Sequence, residues 1–295
     1  MNEWLLIAFT MIVQSSVGFV LMSSLYIYWI QHGLNMLQHS ATIFAQKIFL
    51  RTLLISSTLA GIGLSASLKI EEYPFSIYHT LQNVIQKWAN TETIFAIIYF
   101  SLLVLYTIFF MITKRTYIYI VLAIGIIGLI DLYYMTIIYV NNAMLTWTNI
   151  NTYFLFYSAV FTLGPALALS VIYYPVGKYF RGRLALKLVI SALLVVFISV
   201  TMRLIEQPAY MEWLTESTIV NNNIIFPHQA EFNIKSAFGL RMISWCLYII
   251  AMAIWTYSLW KAKYNSLINN NYYIISGTAL MFVAETINQY TFFIM

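Results

Sequence analysis

Residues 61–92 read GIGLSASLKIEEYPFSIYHTLQNVIQKWANTE, a polar stretch wedged between two apolar runs. It carries Lys69, Glu71, Glu72, Lys87 and Glu92, in a chain of 295 residues that has only 15 basic and 10 acidic side chains. The runs on either side, 45–68 and 93–112, are each of the length that crosses a hydrocarbon core, for which about 20 apolar residues suffice. Charge gathered between two such runs marks a loop joining two membrane helices, and the pattern repeats along the chain.

Composition agrees. With 61% hydrophobic, 17% aromatic and 8% charged residues and a mean hydropathy of +0.79, the chain lies far from soluble domains, in which about a quarter of residues are charged. Soluble enzymes and nucleic-acid-binding modules are thereby excluded, and the pI near 9.1 reflects membrane topology rather than a polyanionic partner. Apolar runs of about 20 residues are helices, not the weak alternation of a β-barrel. The predicted fold is all-α, a single polytopic membrane domain over 1–295 with eight spans at about 4–30, 45–68, 93–112, 116–140, 153–174, 186–202, 236–260 and 272–293.

The first span follows Met1-Asn2-Glu3 with no basic leader and is too long for a signal core, so it is expected to be a retained helix. In the second, Ser56, Ala60, Gly63 and Ser67 fall at offsets 0, 4, 7 and 11. Such a face of small residues permits close approach, and this helix is expected to be central in its bundle. Gly164-Pro165 in the fifth span removes a backbone hydrogen bond and predicts a kink. Residues 203–235, with two prolines and three consecutive asparagines, read as the second long polar link.

Charge orients the spans. The links after odd-numbered spans and their flanks hold ten basic residues, Lys114-Arg115 and Lys178 to Lys187 among them, and no acidic one. The opposite side collects Glu3, Glu71, Glu72, Glu92, Glu206, Glu212, Glu216 and Glu231. Basic loops stay cytoplasmic, so both termini and both long links are expected on the extracytoplasmic side of a bacterial inner membrane.

Few residues offer chemistry. The single Cys246 allows neither an internal disulfide nor a thiolate cluster, and His32, His39, His79 and His228 all lie in or beside loops. Haem ligation between helices needs histidine at membrane depth, so neither haem nor an iron–sulfur cluster is expected in this chain. Asp131 falls inside the fourth span. A bare carboxylate there costs roughly 2.5–3.5 kcal/mol, so it must be paired, hydrated or protonated, and by default it marks function. Arg241 and Glu285, near the outward ends of the last two spans, are expected to form an ion pair.

The opening Glu3-Trp4-Leu5-Leu6-Ile7-Ala8-Phe9-Thr10, with Gln14 and Gly18 behind it, resembles the amino terminus of the membrane anchor subunit of bacterial dimethyl sulfoxide reductase. So does Gly61-Ile62-Gly63 with Ala66-Ser67, followed by Pro74, Leu81, Val84 and Glu92. Weaker echoes are Tyr139 with Thr146-Trp147, Gly164-Pro165, Arg241, and Ala284-Glu285 before Phe292. The resemblance runs in order over the whole length.

It implies a haem-free anchor that binds a quinol, such as menaquinol, near the outer face. The anchor docks an iron–sulfur subunit, through which electrons pass to a molybdopterin catalytic subunit in anaerobic respiration. The sequence also departs from the family's pattern. Where members carry His-Leu-Gly-x-Pro this chain reads Ile70-Glu71-Glu72-Tyr73-Pro74, placing Ile70 where a quinol-contacting histidine is expected. Family arginines likewise fall at Ile137 and Gln289.

Quinol oxidation needs a base in reach of the hydroxyl, and geometry comes before pKa in choosing it. Glu92, where the loop re-enters the membrane, matches a family glutamate; the plain alternative is a first-turn acid favoured by the helix dipole. His79, seven residues from Glu72, is a candidate replacement for the missing histidine. Lys69, Tyr73 and Trp88 suit a quinone slot, although interfacial lysines and aromatics are common in membrane proteins. Asp131, Arg241 and Glu285 complete the candidate set. Two rival readings stand beside this one: a small secondary transporter coupled through Asp131, against which no inverted repeat is visible, and an anchor with no quinol contact.

Overall fold

The structure of the protein, a computed structural model, describes residues 3–34, 39–70, 88–141, 145–179, 183–220, 228–262 and 271–294. Among these residues eight α-helices follow one another: α1 (Glu3–Leu34), α2 (His39–Ile70), α3 (Trp88–Thr113), α4 (Ile118–Val140), α5 (Asn151–Tyr179), α6 (Arg183–Val220), α7 (His228–Ala262) and α8 (Asn271–Ile294). A short 3-10 turn, Leu145–Trp147, precedes α5, and there is no strand among the described residues. The first seven helices are each long and apolar enough to cross a membrane. α8 falls outside that set because Thr278, Glu285, Asn288, Gln289 and Thr291 are polar, and all five are buried against the other helices.

The bundle is built around α1 and α5. Within their apolar stretches 78% and 72% of residues are buried, against 39% in α2. One apolar core joins α1 to α2, α3 and α4, with residues of α5 and α8 at its border; a second joins α1, α2 and α5 to α6, α7 and α8. The expectation that α2 is central is therefore corrected. Its small face does pack closely, with Ser56 and Ala60 buried and Gly63 against Val13, but the helix it packs on is the hub.

α1 and α5 touch backbone to backbone. A Cβ built on Gly18 would lie 2.2 Å from the Val160 carbonyl oxygen, and one on Gly164 would lie 2.3 Å from the Gly18 carbonyl carbon. Glycine at both positions is what lets two hub helices cross at this distance. α5 continues as helix through both Pro165 and Pro175.

α6 differs most from its expected span. It does not stop at residue 202 but continues through Pro208 to Val220. Arg203, Gln207 and Tyr210 recur at helical spacing and are 3%, 5% and 1% exposed. These polar side chains, which read as a loop in the sequence, form an inward face of a longer helix.

Two ends of the bundle are distinguishable. At one, Gln31 donates to Thr116, the Gln46 side chain donates to the Lys114 carbonyl at 3.0 Å, and Lys114 closes α3 in the left-handed region at φ 53°. At the other, Trp4 stacks on Tyr290 at 5.0 Å, the Trp147 indole donates to the Phe292 carbonyl at 3.0 Å, and Tyr210 donates to the Thr146 carbonyl at 3.0 Å. The two chain ends thus share an end of the bundle, opposite the basic Lys114-Arg115 turn.

Candidate functional site

α3 presents Glu92, Ala96 and Tyr99 along one face, at i, i+4 and i+7. This face meets Asp131 of α4, Phe9 and Val13 of α1, and Ala60 and Leu64 of α2 around a cavity of about 10 Å³, room for about one water. Two carboxylates, Glu92 and Asp131, therefore line one small space. Glu92 is half-buried, whereas Asp131 is 3% exposed and its Oδ1 has no hydrogen-bond partner.

The hydroxyl that lines the cavity, that of Tyr99, is engaged elsewhere. The Tyr99 and Ser16 hydroxyls are 3.0 Å apart, and Ser16 donates its own proton to the Ser56 carbonyl at 3.2 Å. With the Ser16 proton so used, Tyr99 is the donor to Ser16, and its single proton is committed there. Gly128, one turn before Asp131, lets Tyr99 and Val17 lie against the α4 backbone, which seats the acid at this level.

A second polar cluster lies on the other side of α1. The Arg203 guanidinium holds Glu285 through two nitrogens, each 3.2 Å from a carboxylate oxygen. It also donates to Ser158 Oγ at 2.6 Å, to Tyr248 at 3.0 Å and to the Leu155 carbonyl at 3.0 Å. Glu285 accepts further bonds from Tyr248, Thr162 and Gln289, and Gln289 reaches Gln14 of α1 at 3.2 Å. Five helices are tied by this group. The expected Arg241–Glu285 pair is corrected: the cation on Glu285 is Arg203, and Arg241 lies over the Tyr210 ring, 5.1 Å from its centre.

The remaining candidates divide simply. Lys69 and Ile70 end α2 and Trp88 begins α3, but their side chains lie outside the described residues, as do Tyr73 and His79 altogether. The structure brings Glu92 and Asp131 together and places Arg241 and Glu285 apart from their cavity. Tyr99 and Arg203 escaped the sequence reading. Tyr99 was detectable by its spacing from Glu92; Arg203 was assigned to a loop.

A larger apolar groove of about 630 Å³ lies between α5 and α6, walled by Tyr153, Tyr157, Phe161, Ile198 and Met202 among others. It contains no carboxylate, histidine or cysteine, and the hydroxyls of its two serines are engaged with Arg203 and the Ser158 carbonyl. A string of rings runs from this groove to Phe95, which follows Glu92 by three residues on α3. Phe95 stacks on Tyr134 at 4.8 Å, Tyr134 meets Tyr133 at 5.8 Å, and Tyr133 meets Tyr153 at 6.1 Å. Among the described residues no group of three or more His, Cys, Asp or Glu is placed to hold a metal ion.

The long helices among the described residues, seven of them apolar enough to cross a membrane, define a multi-pass membrane protein with polar clusters buried in its bundle. The family model described as DMSO reductase anchor subunit (DmsC) matches residues 1–295, and the chain belongs to that family of membrane anchor subunits. Neither a curated protein nor a solved structure matches it.

Proposed function

We propose that this anchor oxidises a quinol, with menaquinol the expected form, at Glu92. The observation that carries the reading is that Glu92 shares a cavity with a second carboxylate at the mouth of the α1–α4 half. As in the DMSO reductase family, the electrons pass to a docked iron–sulfur subunit and on to a molybdopterin subunit. A space of about 10 Å³ admits no ring, so the quinol ring lies beside Glu92 on the Phe95–Tyr134 surface, and only its hydroxyl reaches the carboxylate. Tyr133 and Tyr153 continue that surface to the apolar groove, which suits an isoprenoid tail.

The charge distribution supports a cytoplasmic location for the Lys114-Arg115 end. Termini and Glu92 then face outward from a bacterial inner membrane. α8, at 24 residues, reaches about 36 Å at 1.5 Å per residue; we take it as the eighth span. Glu92→Gln removes the proton acceptor with little change in volume. In the assembled complex the variant is expected to lose quinol-dependent reduction while the three subunits still co-purify. Wild-type turnover in that variant rejects the assignment.

A further inference from the structure

We infer that Asp131 is the second proton acceptor of this site, taking through the cavity water the proton that Glu92 receives, so that Glu92 is free for the next one. The inference rests on the quinol-oxidising reading and extends it to a residue for which the family resemblance supplies no counterpart.

The chemistry sets the requirement. Each quinol breaks two O–H bonds, giving one quinone, two protons and two electrons, and the electrons leave to the one-electron centres of the docked iron–sulfur subunit. A single carboxylate takes one proton. Glu92 must therefore hand on the first before the second hydroxyl can ionise.

The cavity offers one acceptor for this purpose. Asp131 is 3% exposed, lines the same space as Glu92, and keeps Oδ1 without a hydrogen-bond partner. A buried carboxylate oxygen with nothing bonded to it is costly in a fold, most of all when it is charged. A proton donor must then visit it, and a cavity of about 10 Å³ has room for the one water that would deliver a proton. Among the described residues, the titratable groups that share the cavity with Asp131 are Glu92 and Tyr99, both on α3; the walls given by α1 and α2 are Phe9, Val13, Ala60 and Leu64. Tyr99 is engaged with Ser16. The second proton then loads Glu92, and both leave by way of Glu92, the more exposed member.

The test compares Asp131→Asn, Asp131→Glu and Glu92→Gln in the complete complex in membranes. A tail-less reduced naphthoquinone serves as donor, and bleaching of the iron–sulfur absorbance as readout. Asp131→Asn is expected to lower the maximal rate at least tenfold with the half-saturating quinol concentration unchanged within twofold, and Asp131→Glu to restore part of the rate. A purely structural aspartate would lower the amount of assembled complex but not the rate per complex. An Asp131→Asn complex that runs at the wild-type rate, or that loses rate only in step with its abundance, overturns the relay. If Asp131→Asn is at wild-type rate while Glu92→Gln is inactive, the relay alone fails. If Glu92→Gln also turns over normally, the quinol site itself is wrong and the relay falls with it.

Discussion

A carboxylate inside a hydrocarbon core needs a cation, a proton or water, and the two buried acids of this chain are housed differently. Glu285 has Arg203, held in a two-pronged contact and bonded further by Tyr248, Thr162 and Gln289. With every lone pair accounted for, this group has the character of a structural clamp. Arg203→Ala should destabilise the protein by about 3–5 kcal/mol, since it strands Glu285 without its cation. Thermal unfolding in detergent checks this, and a midpoint equal to wild type would show that the pair contributes nothing. Asp131 has no such partner at Oδ1, which is why it and not Glu285 is placed in the proton path. The carboxylates were legible in the sequence because charge is so rare in this composition. Their partners were not: pairing Glu285 with Arg241 relied on both lying near helix ends, whereas Arg203 sits at the right depth only once α6 is allowed to run past it.

That error belongs to the scale of elements. Polarity read linearly made 203–235 a loop, but Arg203, Gln207 and Tyr210 share a helix face, and a polar stripe facing a polar core is invisible to a hydropathy window. α8 carries a similar buried polar stripe, although its apolar residues marked it as a span at 272–293. Small residues misled in a related way. The Ser56, Ala60 and Gly63 face marked a close contact correctly, but a contact has two sides, and the hub was the partner α1. The resemblance motif residues Gly18 and Gly164 have a plain physical role as the crossing of α1 and α5. Gly18→Ala or Gly164→Ala should cost about 1–3 kcal/mol through overpacking. Gly239→Ala, with nothing within 4 Å of the added methyl, should leave stability unchanged or slightly raised. Unfolding midpoints of the three variants in one detergent decide the matter; equal effects at Gly18 and Gly239 would contradict the close crossing.

Over the whole molecule, the helical class and the grouping of the two termini at one end followed from charge and hydropathy, because membrane insertion leaves few alternatives to a spanning helix. The orientation is open to direct mapping. Single cysteines placed at positions 115 and 180 in a chain with Cys246 replaced should resist a membrane-impermeant thiol reagent in intact cells, and one at position 2 should react. The reverse pattern would invert the proposed topology and put Glu92 on the wrong face. What the sequence could not convey was that the carboxylate cavity is too small for a ring, because volume depends on how four helices pack. In the proposed function Glu92 is the group that meets the quinol hydroxyl, from the side of a cavity too small for the ring. The most direct test is a binding titration of a naphthoquinol analogue on the purified chain. One saturable site should appear for the wild type, weakened about tenfold or more in Glu92→Gln, as expected for loss of a hydrogen bond to a charged acceptor. No saturable binding, or equal affinity in both proteins, would contradict it.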